Sequence, residues 1–165
     1  MFFKKKMPVD AYCEASLKAL LSPEREQVYE RLRDACADPA LHAADRQLYF
    51  DYIRAVIVEL LNIAIIKSCG LDVSTDARVF IAQYLEERGL GHIDSLSPGA
   101  LTSIYNSAFG TPGYDGVASM VAAFSQEIAD GALKDETMDR LVQEFYAILK
   151  GFFDDMKSIK LVPTR

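Results

Sequence analysis

The stretch Leu48–Cys69, LYFDYIRAVIVELLNIAIIKSC, decides the fold. Projected at about 100° per residue, Gln47, Asp51, Arg54, Glu59 and Asn62 fall in one stripe, and Phe50, Ile53, Ile57, Leu60, Leu61, Ala64 and Ile65 fill the wide remainder. This pattern predicts a helix buried on nearly all sides. Its length would suit a bilayer, but charges recur too often along it, each costing about 2.5 to 3.5 kcal/mol at the membrane centre. The stretch is therefore expected to be the central helix of a bundle, over about 45–69, with Asp51 and Arg54 paired at i, i+3 and the polar stripe turned to solvent or a cleft.

Upstream, Ser22-Pro23 and Asp38-Pro39 both carry helix-start chemistry, because the polar side chain can cap free N–H groups and proline fits the first turn. Val9, Tyr12, Cys13, Leu17, Leu20 and Leu21 recur at helical spacing before the first of these starts, and Val28, Tyr29, Leu32, Ala35 and Cys36 after it. The central helix begins either at Pro39 or after a break at 42–45. The opening MFFKKKMP lacks the apolar run of a cleavable leader and shows no periodicity linking it to a core, so 1–8 is expected to be a flexible segment preceding one helical domain over 9–162.

Downstream, Gly70 is expected as a left-handed cap, with Asp72, Ser74 or Thr75 starting a helix that carries Ala77, Phe80, Ile81, Tyr84 and Leu85 and stops at Gly89. A loop over 89–98 leads to a short helix with Leu101, Ile104, Tyr105, Ala108 and Phe109, and the turn-rich GTPGYDG at 110–116 leads to another with Val117, Met120, Val121, Phe124 and Ile128. The last helix, capped by Asp135, has the clearest stripe: Met138, Leu141, Val142, Phe145, Leu149, Phe152 and Met156. No run reads as a strand, since AVIV and IAII lie inside the helical pattern. The expected fold class is all-α, a single-domain bundle of six or seven helices.

Composition narrows the chemistry. Half of the 165 residues are apolar, enough for one sizeable core. A net charge of −6, with lysines clustered only at 4–6, argues against nucleic acid as a partner. Cys13, Cys36 and Cys69 sit among apolar residues and read as small buried hydrophobes of a reducing, cytoplasmic compartment. Phe2, Phe3, Lys4, Lys5 and Lys6 could touch an anionic membrane surface, although a frayed terminus accounts for them more simply.

The motifs of ferritin-like dimetal sites, zinc proteases, P-loops, dinucleotide folds, EF-hands and nucleophile elbows are all missing. No cofactor or metal is expected. His42 and Asp45 read as a surface ion pair one turn apart. His92, Asp94, Tyr114 and Asp115, placed on two loops, are the candidates for any ligand or catalytic site, because histidine exchanges protons near neutrality.

Three function classes follow. The first is a non-enzymatic module for self-association or protein interaction, with Tyr146, Ile148, Phe153 and Ile159 of the last helix forming a homodimer surface beyond the main stripe. The second is a binding protein for a small apolar ligand held between helices, lined by Phe, Tyr and Met. The third is an enzyme using the His92 loop.

Overall fold

Capping chemistry sets the element boundaries in this computed structural model, which describes residues 4–96 and 113–164. A strand β1 (Lys5–Pro8) leads into helix α1 (Val9–Leu20), and helix α2 (Pro23–Ala35) starts where the Arg25 N–H donates to Ser22 Oγ at 3.2 Å. The short α3 (Pro39–Ala43) is capped by Asp38, and a break at Ala44 separates it from α4 (Arg46–Ser68), whose first turn is capped by Asp45 through the Leu48 N–H at 2.8 Å. Of the two boundaries open to sequence, the later one is therefore the real one. Beyond α4 come α5 (Leu71–Glu87), a 3-10 helix (Gly91–Ser95), α6 (Tyr114–Ala129), α7 (Asp135–Ser158) and a strand β2 (Ile159–Val162). The described residues thus form a mostly helical body with seven α-helices. The short helix expected over 101–109 lies outside them.

Helix α4 is the axis, with 14 of its 23 residues buried. It packs against α7 on one side and α5 on another, with the 3-10 helix, α6 and α1 making smaller contacts. Tyr49 illustrates the fit: its ring meets Phe50 and Phe124 edge-on, while its hydroxyl donates to the Tyr29 carbonyl at 3.0 Å. That single bond satisfies a buried polar atom and ties α4 to α2.

Three local expectations are corrected. Gly70 is extended, with φ −72° and ψ 169°, and it precedes α5 instead of closing α4 in the left-handed region. Helix α5 accordingly begins at Leu71, and Asp72, Ser74 and Thr75 lie inside it. Gly89 does take positive φ, +67°, at the far end of α5, where a side chain would be strained.

The third correction concerns the termini. Residues 5–8 are not a loose end: β1 pairs in parallel with β2, from Lys5 opposite Ile159 to Pro8 opposite Val162. Met7 and Leu161 stand opposite each other and turn inward, and Lys4 Nζ donates to the Met156 carbonyl at 2.9 Å. The sequence concealed this pair because KKMP has no β-branched or aromatic residue, and because parallel pairing joins segments at opposite ends of the chain.

Candidate functional site

The polar stripe of α4 runs from exposed Gln47 through half-buried Arg54, Glu59 and Asn62, and a buried carboxylate, Asp51, lies within it. Asp51, 6% exposed, receives Gln47 Nε2 at 3.0 Å and Arg54 Nη1 at 2.8 Å on Oδ1, while His92 Nε2 lies 3.1 Å from Oδ2. Arg54 continues the chain to Glu26 of α2 at 3.1 Å. The expected i, i+3 pair is present, and within the partly exposed stripe Asp51 meets the 3-10 helix through His92 while Arg54 meets α2 through Glu26. Shared donors offset the cost of removing this charge from water.

His92 is the sequence candidate that gains most from the fold. It projects from the 3-10 helix Gly91–Ser95, and Asp51, 41 residues upstream, orients its ring. A carboxylate holding an imidazole is the orienting half of an acid–base pair, and the same contact clamps the 3-10 helix to α4. Asp94 belongs to the same 3-10 helix. Tyr114 and Asp115 stand in the first turn of α6 and not in a loop. Tyr114 turns to α7, its ring edge-on to Tyr146 at 5.8 Å. The histidine reading and the tyrosine reading thus rest on separate contacts.

Other candidates resolve into structural roles. His42 lies 3.0 Å from the Arg33 carbonyl, and Asp45 caps α4, in place of the expected ion pair. Arg33 itself closes the end of α3 by donating to the carbonyls of Leu41, His42 and Ala44. Cys13 is fully buried, and burial first, then the charges of Asp10 and Cys69, push its thiol up to about 12. A thiol so held is no nucleophile near neutrality. Burial and the Glu127 carboxylate likewise push Tyr52 up to about 12. Among the described residues no group of three His, Cys, Asp or Glu side chains could hold a metal ion, and no helix is long and apolar enough to cross a membrane. Phe2 and Phe3 fall outside the described residues; Lys5 and Lys6 are exposed on β1.

The four expected interface residues do not share one surface. Tyr146 and Phe153 lie on the flank of α7 that meets Tyr114 of α6, and both are half-buried. Ile148 is only 8% exposed and sits on the opposite flank, against α1. Ile159 begins β2. The broad apolar arc of α7 arises because α6 covers one flank and α1 borders the other across a groove, with α4 between.

Beside Ile148 an open groove of about 350 Å³ runs between α1, the start of α2 and α7. Its floor is Leu20, Ile148 and Phe152, with Arg25 and Asp155 among its polar residues. Sequence reasoning missed it, although a glycine in the interior of α7, Gly151, was the available signal. Comparisons of the chain with protein-family models, with curated proteins and with solved structures return no match.

Proposed function

We propose that this chain is a non-enzymatic helical module that pairs with a second copy of itself through the α6/α7 flank. The supporting observation is the Tyr114–Tyr146 contact: Tyr114 is 45% exposed, and Phe153 lies two turns further along the same flank of α7. Aromatic rings are large apolar surfaces with few rotamers to freeze, and they are enriched where proteins meet. A two-fold contact is self-complementary and ends assembly at two copies, the simplest closed way to cover such a patch. Ile148 and Ile159 drop out of this surface and Tyr114 joins it.

Light scattering at micromolar concentration tests the reading. The wild-type chain is expected at twice the mass of one chain, and Phe153→Glu at the mass of one, with unchanged helical circular dichroism. A wild-type mass of one chain overturns the proposal.

A further inference from the structure

We infer that the groove between α1, α2 and α7 is a binding site for a small single-chain amphiphile with an anionic head group, such as a medium-chain carboxylate. The groove has the size at which small-molecule sites begin and a mostly apolar floor, with few polar groups. Helices α1 and α7 run antiparallel along it: Tyr12, early in α1, donates to Asp155, late in α7, at 3.0 Å, while Tyr29, beyond the far end of α1, lies near Glu144, earlier in α7. Arg25, beyond the far end of α1, therefore lies toward the other end. From Ala147 to Asp155 the lining of α7 extends about 12 Å, at 1.5 Å per residue, so the site is elongated.

Charge assigns the head group. Arg25 stands over the Tyr29 ring, 5.8 Å from its centroid, and lines the groove at this end. No ion pair joins Arg25 to an acid among the described residues, although the chain carries 24 acidic residues and Glu144 lies near enough to bear on Tyr29. An anion placed there gains charge-assisted bonds from a guanidinium that no carboxylate has already taken. At the other end Asp155 is engaged by Tyr12 and repels a second anion, which fixes the orientation: head at Arg25, tail along Leu20, Ile148 and Phe152.

Gly151 is the independent sign. It occupies the interior of α7, about two-thirds of the way along, where glycine weakens a helix, yet nothing lies within 4 Å of the position its Cβ would take. No neighbour requires the missing side chain. What its absence keeps open is the groove it lines.

The test is titration of the 165-residue chain with decanoate, followed by calorimetry and by amide chemical shifts. One saturable site is expected, with shifts centred on α1, the start of α2 and the second half of α7; acetate, which lacks the tail, and decyltrimethylammonium, which reverses the charge, should not saturate it. Arg25→Gln should weaken binding by about tenfold, the loss of a charge-assisted contact. Gly151→Leu should abolish binding and keep the fold, and if that variant does not fold, Arg25→Gln decides alone. Phe153→Glu alters the opposite flank and should leave decanoate binding intact, so failure of the dimer and failure of this site are distinguishable. Absence of saturation, equal binding of the cationic amphiphile, or undiminished affinity in Arg25→Gln overturns the inference.

Discussion

Asp38 shows how much one side chain can organise. It is 1% exposed; its Oδ1 caps α3 through the N–H groups of Ala40 and Leu41, and its Oδ2 accepts from Lys134 N at 2.8 Å and Thr137 Oγ1 at 2.6 Å. The same carboxylate thus serves the N-terminal ends of α3 and α7, 99 residues apart where it meets Thr137. Burial opposes its ionisation, but hydrogen bonds from Thr137, Lys134, Ala40 and Leu41 together hold the carboxyl below its ordinary value. A carboxyl lowered in the folded state stabilises the fold above its unfolded pKa, and that contribution disappears as pH falls through the folded value. Asp38→Asn should therefore cost about 2 kcal/mol at neutral pH and flatten the acid limb of a stability–pH curve measured by urea unfolding. Equal acid slopes for the two proteins would remove the assigned role. The capping half of this role is legible in the sequence as Asp38-Pro39. The Thr137 half is not, because nothing local to either residue encodes the contact.

At the scale of elements, the closing of the chain on itself has the clearest consequence. The parallel pair β1–β2 places Met7 opposite Leu161, which is 6% exposed, over the end of the helical core, and Lys4 reaches the last turn of α7. Deleting residues 1–8 should therefore lower the melting temperature by several degrees, as expected for a loss of about 1 to 2 kcal/mol in a chain of this size. An unchanged melting curve by circular dichroism would mean that the pair contributes nothing. Helix positions were readable from periodicity and cap residues alone: Ser22 and Asp38 bond as their types predict, and Gly89 stops α5 in the left-handed region. Gly70 misled because glycine is common at both ends of helices, and here α5 starts immediately after it.

For the molecule as a whole, burial ranks the elements by their resistance to opening. Helix α4 is enclosed by α7, α5, α6 and α1, so its amides should exchange slowest, at rates governed by global unfolding. The 3-10 helix Gly91–Ser95, whose His92 remains half exposed while it contacts Asp51, should exchange far faster. Hydrogen exchange followed by mass spectrometry checks the order, and rapid exchange over Tyr49–Ile65 would contradict α4 as the core.

The sequence by itself determined that α4 is buried, where most of the described helices begin and end, and that the class is all-α, because caps and 3.6-residue periodicity act over a few neighbouring residues. Only the tertiary structure decided that Asp51 receives His92, that Asp38 joins two helix starts, that the termini pair, and that the apolar arc of α7 divides between α6 and a groove beside α1. These contacts join residues dozens of positions apart. Their partners are selected by which helix faces pack together, and local pattern carries no record of that choice.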